Sequence, residues 1–197
     1  MPAPLVHLVR HGEVHNPGRI RYGRLLGYHL SERGRQQAQQ AAARLEAWPD
    51  PVIYASPLER AVETAEIIAR HLGVATVDRD ERLLETINVF EGKRKIAPAA
   101  PWNWWRLWNP FRPSWGEPFA TVRARMRAVI DELRARHPDR TIVAVSHQSP
   151  IWITRQALER VDPPWCGRVR CGLASIHSLR FDGPDGAYAG HTYWAPG

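Results

Sequence analysis

The sequence predicts an α/β fold: a mostly parallel central sheet with helices on both faces, a three-layer sandwich. Short apolar runs alternate with longer segments of helical character, and the intervals leave room for crossover helices between successive strands. Three of the apolar runs end on charged or nucleophilic residues, and the carboxyl ends of strands are where sheets of this kind bind ligands.

In chain order, 5–10 (LVHLVR) reads as a short buried strand, followed at once by a polar turn that Gly12, Pro17 and Gly18 break. Ser31 is a good N-cap, and the Ala- and Gln-rich run behind it sustains a helix to about Trp48. Pro49 and Pro51 interrupt the chain before a second strand at 52–56 (VIYAS). Ser56 and Glu59 match a capping box, Pro57 takes the first helical position, and Gly73 closes the helix. A third strand is expected at 74–77, a helix at 119–137, a fourth strand at 141–147, and a further helix opened by Pro150. The runs 173–181 and 187–194 alternate like two strands joined by the turn DGPDG. No repeat or linker divides the chain, so residues 1–197 are expected to form one domain.

An apolar fraction of 44% and a charged fraction of 24% are those of an ordinary globular protein. No stretch has the length to span a bilayer, and the N-terminal residues lack the pattern of a secretion signal, so a cytoplasmic protein without membrane contact is expected. Cys166 and Cys171 are too few for a disulfide framework and lack zinc spacing; both read as idle thiols. The net charge is +7, and Lys93 and Lys95 are the only lysines. Arginine grips phosphate with a bidentate fork, yet charge alone does not choose between nucleic acid, a membrane surface and a small anionic substrate.

The strand ends choose. Arg10 and His11 close the first strand, and Arg60 falls in the first turn of its helix, where free backbone amides and the helix dipole favour an anion. His147 stands between the fourth strand and the next helix start. Brought together, two arginines, two histidines and two helix starts would surround a tetrahedral dianion with a nucleophile beside it. Taken singly, each histidine has the plainer reading of a hydrogen-bonded structural residue and each arginine that of a solvated cation. Rival chemistries fail on spacing. Gly12 stands where a zinc-protease motif needs glutamate, neither cysteine has an arginine six residues on, and no P-loop is present. No metal and no cofactor are expected.

The segments LVRHGE, SPLERAVETA, LLE ahead of FEG, and AVSHQSP occur in this order across most of the chain. Together they resemble the four signatures of the histidine phosphatase superfamily, which has the phosphoglycerate mutase-like fold, and the stretch from Arg10 to Ala38 is most similar to an actinobacterial phosphatase subgroup. The resemblance implies a phosphatase acting on a small phosphate monoester. His11 would become phosphohistidine, Arg10, Arg60 and His147 would hold the phosphoryl oxygens, and Glu85 would be the general acid. Glu13, Glu81 and Glu91 are neighbouring alternatives for that acid, with Glu13 also suited to orienting its loop. Asn16, His15, Arg24 and Gln148 are candidates for substrate contacts. A phosphomutase of the same fold is the second reading, and a non-catalytic protein that binds nucleic acid or a partner is the third. Retention of all five catalytic residue types argues against the last, and no specific nucleic-acid partner is expected.

The segment 93–115 holds five of the nine tryptophans, four prolines and five cations. It is expected to form a cap over the site or a subunit interface, as in a homodimer. Its aromatic and basic mixture also suits single-stranded nucleic acid or a membrane interface, the weaker expectations.

Overall fold

Strand β1 (Leu5–Arg10) runs through the middle of a six-stranded sheet of order β3-β2-β4-β1-β5-β6 in the computed structural model, which describes residues 2–94, 116–161, 171–182 and 186–197. Most of the insertion expected at 93–115 (95–115), and Cys166 with it, lie outside the described residues. The other elements follow in alternation: α1 (Glu32–Leu45), β2 (Pro51–Ala55), α2 (Glu59–Leu72), β3 (Val77–Arg79), a 3-10 turn (Glu81–Leu83), α3 (Phe119–Arg136), β4 (Thr141–Ser146), α4 (Gln148–Leu158), β5 (Ile176–Asp182) and β6 (Ala187–Trp194). Strands β3, β2, β4 and β1 are mutually parallel, whereas β5 and β6 are added antiparallel.

Alternation along the strands divides the interior into two cores. Val6, Leu8, Ile142 and Ala144 face α3 and α4, where Val122, Met126, Val129, Ile130 and Ile151 close over them. Val9, Val143, Val145, Ile53 and Ala55 face α1 and α2, whose Ala41, Ala42, Ala61, Ala65 and Ile68 let the helices approach closely. The result is the three-layer sandwich the sequence predicts. Among the described residues, no helix is long and apolar enough to cross a membrane.

Four expectations are corrected at element ends. The first helix stops at Leu45 rather than near Trp48. Ser56 and Glu59 form no capping box: α2 begins at Glu59 behind Leu58, because Ser56 is still held to the sheet, its N–H donating to Val145 at 2.9 Å. The third strand lies at Val77–Arg79 rather than 74–77, since the Val74 N–H still hooks back onto Ala69 of α2 at 2.9 Å. On the far side of the sheet, β5 begins at Ile176, three residues later than the pattern suggests.

The loop after β1 is seated by a glycine crossing. A side chain at Gly12 would strike the Gly34 carbonyl oxygen at 2.4 Å, and one at Gly34 would strike that of Glu13 at 2.0 Å. Only two hydrogens allow the loop and the first turn of α1 to pass this closely. Ser31 completes the joint by accepting from Gly34 at 3.0 Å and donating to the Glu13 carboxylate at 2.8 Å.

Candidate active site

The parallel register of β1 and β4 sets Arg10 opposite Ser146, so His11 and His147 leave the sheet side by side. Their ring centroids are 5.2 Å apart, and both residues are almost wholly buried. The two rings are held differently. His11 Nδ1 lies 2.7 Å from the Gly12 carbonyl oxygen, which can only accept, so Nδ1 carries the proton and Nε2 keeps the lone pair. His147 Nε2 shares a hydrogen bond of 2.8 Å with the Ser56 hydroxyl, leaving its Nδ1 buried without a partner among the described residues. Burial, reinforced by the Arg60 and Arg10 guanidiniums, holds the His11 pKa well below the ordinary imidazole value. His147 is depressed by burial and then by His11 and the same two arginines. Both rings are therefore neutral at pH 7.

Arg60, whose side chain is wholly buried, rises from the first turn of α2. It donates to the carbonyls of Gly23 and Leu25 and lies 4.7 Å over the ring of Tyr22. Burial lowers its pKa, with Tyr22 and Glu85 opposing, but from a starting value so high that the charge persists. Arg10 is anchored by Nη1 on the Cys171 carbonyl at 2.6 Å. The Nε groups of both arginines are buried without a hydrogen-bond partner among the described residues. The Cys171 thiol itself is pushed up to about 11 by burial, which leaves it protonated and inert as expected.

A hollow of about 160 Å³ opens onto His11 and is lined by Arg10, Arg21, Tyr22, Glu85, Asn88, Glu91 and Gln148 among others. Glu85 directs Oε1 at the N–H of Thr86 (2.8 Å). Of the alternative acids, Glu91 shares the hollow but accepts from the Arg24 N–H at 3.1 Å, Glu81 is exposed away from it, and Glu13 is tied to Ser31 and α1. Asn16 and His15 line an adjoining hollow instead. Both ends of the Asn16 amide are taken by Ile20, at 2.8 and 2.9 Å, so Asn16 staples its own loop. Arg24 is likewise engaged by the protein, donating to the Glu85 carbonyl and the Glu117 carboxylate. Tyr22 and Ser56 are the site residues that sequence reasoning missed. Tyr22 sits in a loop without periodicity, and Ser56 fits a capping pattern that its hydroxyl does not serve.

Two hollows elsewhere, about 290 Å³ between α3 and α4 and about 610 Å³ beside Trp48, contain no comparable gathering of cations and imidazoles. Among the described residues, no three His, Cys, Asp or Glu side chains gather in a way that could hold a metal ion.

Comparison with known proteins agrees with the geometry. The chain is 46% identical to an uncharacterised protein of Mycobacterium tuberculosis, with 90% of each chain covered. It is 34% identical to phosphoserine phosphatase 1 of Hydrogenobacter thermophilus, over 89% of this chain and 85% of that protein. The structure of a mycobacterial glucosyl-3-phosphoglycerate phosphatase in complex with VO3 superposes with a TM-score of 0.78 at 29% identity, covering 99% of this chain and 100% of the other. Residues 6–191 match the histidine phosphatase superfamily (branch 1), and the chain belongs to that family.

Proposed function

We propose that this phosphatase hydrolyses a small phosphate monoester through a phosphohistidine on His11, without a metal ion. The observation that carries the reading is the tautomer of His11. Its Nδ1–H is held by the Gly12 carbonyl, leaving a neutral Nε2 lone pair on a ring that lines the hollow together with Arg10, while His147 and Arg60 lie beside His11 without lining the hollow themselves. Phosphoryl transfer asks chiefly for alignment and for positive charge around the equatorial oxygens. The two fixed guanidiniums and the first turn of α4 supply that charge, and the neutral His147 ring adds a polar group beside them. Nε2 attacks phosphorus, the ester oxygen leaves with a proton from Glu85, and water deprotonated by Glu85 then releases phosphate and restores His11.

The two relatives are named for phosphoserine and for glucosyl-3-phosphoglycerate, which share a three-carbon acid unit phosphorylated at its third carbon. Esters of that shape are the first to test, since Arg21 lines the hollow and offers a further guanidinium to a carboxylate.

Phosphate release from such esters should survive EDTA. Acid-labile, base-stable phosphate should appear on the protein during turnover, and His11→Ala should lower kcat/KM by more than about 10⁴-fold. Activity that dies with EDTA and returns with a divalent ion would overturn the metal-free route. An isomerised ester formed without free phosphate would make the protein a mutase.

A further inference from the structure

Arg24 does not extend toward substrate; its guanidinium is bound backwards into the protein. Nε donates to the Glu85 carbonyl at 2.6 Å, and Nη2 lies 3.2 Å from Glu117 Oε2. From the opposite side, Arg125 of α3 grips the same carboxylate through Nε (2.9 Å) and Nη2 (3.0 Å), while its Nη1 donates to the Arg82 carbonyl. The Glu117 side chain is only 9% exposed, and it stands outside the hollow that His11 faces. One buried carboxylate thus joins two guanidiniums, and these hold the backbone carbonyls on either side of the turn that presents Glu85.

The rest of that turn is fixed from the sheet. Ser146, next to His147, donates its hydroxyl to the Leu83 carbonyl at 2.7 Å, and Leu83 is fully buried. Beyond Glu85 the chain is tied again, with the Glu117 N–H donating to Ile87 at 3.1 Å and a bridge between Asn88 and Gly116. The geometry points to Glu117 as a positioning residue: it holds Arg24 and Arg125 so that the Glu85 carboxyl stands where the leaving group departs. This rests on the reading of Glu85 as general acid. Charge-assisted bidentate pairing is the strong form of hydrogen bond available for such a clamp, and a general acid displaced by about 1 Å loses much of its effect.

The test compares an ester with a poor leaving group, phosphoserine, and one with a good leaving group, nitrophenyl phosphate. Phosphoenzyme formation is followed by rapid quench in the parent, Glu85→Gln, Glu117→Gln and the double variant. Glu117→Gln should slow the reaction of phosphoserine about 10- to 30-fold with little change in KM, and that of nitrophenyl phosphate less than about threefold. Added to Glu85→Gln it should cost nothing further, since a residue that acts through another is silent once the other is gone.

Equal losses on the two esters, or losses that multiply in the double variant, would show Glu117 to be merely structural. If Glu85→Gln discriminates between the esters and Glu117→Gln does not, the positioning role alone falls. If Glu85→Gln itself shows no discrimination, the general-acid reading falls and takes this one with it. Should Glu117→Gln fail to fold, Arg24→Gln leaves the Glu117–Arg125 pair intact and should show the same split between esters in weaker form. A parallel loss there would overturn the proposal.

Discussion

Two histidine pairs in this molecule have ring centroids 5.2 Å apart, and only one of them stands at the proposed active site. His177 and His191 sit within β5 and β6, stacked at 18°, with a hydrogen bond of 3.0 Å between Nδ1 and Nε2. Tyr193 packs on one ring, and Glu159 lies 3.4 Å from the other. His11 and His147 stand one residue past the ends of β1 and β4, inclined at 59°. Each is bound to something else, the Gly12 carbonyl and the Ser56 hydroxyl, and Arg10 and Arg60 crowd round both. Burial depresses the pKa in both pairs, so a perturbed pKa does not mark the site. The surroundings do: His11 and His147 stand at the carboxyl ends of parallel strands beside two buried guanidiniums, whereas His191 lines a hollow that holds no such pair.

The same substitution on each pair sharpens this contrast. His147→Gln should lower kcat/KM by about 10²- to 10³-fold, the scale for removing one group that contacts a developing charge. His191→Gln should change kcat/KM by less than about threefold while lowering Tm, because it disturbs a half-buried hydrogen bond worth about 1 kcal/mol away from the hollow that His11 lines. Steady-state kinetics and a melting curve on the two variants suffice. Comparable kinetic losses would dissolve the distinction.

Acid stability tests what the pairs have in common. Burial holds His177 at about 3 and His7 at about 4, and His11 and His147 well below 6.5. The folded protein keeps these rings neutral while the unfolded chain protonates them near pH 6.5, so below that pH the unfolded state binds more protons. Stability must then fall as pH falls, by up to about 1.4 kcal/mol per pH unit for each ring, until the folded pKa is reached. His177→Gln should remove one proton from that slope, sparing about 2 kcal/mol between pH 6 and 4.5. Denaturant titrations across that range check it; an unchanged slope would mean that His177 is already charged in the folded state.

How much of this was legible in the sequence follows the same division. Arg10 and His11 stand where an apolar run stops, and Arg60 and His147 where a helix begins, so the pattern singles out these four positions. The strand at 74–77 was misplaced because the chain still clings to α2 there, and because an edge strand can be as polar as Val77–Arg79. Tyr22, Asn16 and Arg24 belong to a long loop without periodicity. Which of them faces His11 depends on carbonyls contributed by Ile20, Gly23 and Glu85, and a sequence does not display its carbonyls.

The smallest expected effect concerns the hydroxyl that holds His147, one of the two rings proposed to act. Ser56 holds His147 Nε2 at 2.8 Å, while its own N–H stays in the sheet through Val145. Without the hydroxyl, His147 is free to turn toward His11 and form the ring-to-ring bond that His177 and His191 already make. Ser56→Ala should therefore lower kcat/KM about fivefold to tenfold, equivalent to about 1 kcal/mol, with the backbone undisturbed. Ser56→Thr, which keeps the hydroxyl, should lose less activity than Ser56→Ala if the added methyl is accommodated. Nitrogen chemical shifts of His147 give the direct reading, since loss of the Ser56 bond must move the Nε2 resonance. If that resonance moves and activity does not, separation of the rings is incidental, and the cations alone distinguish this pair from the other.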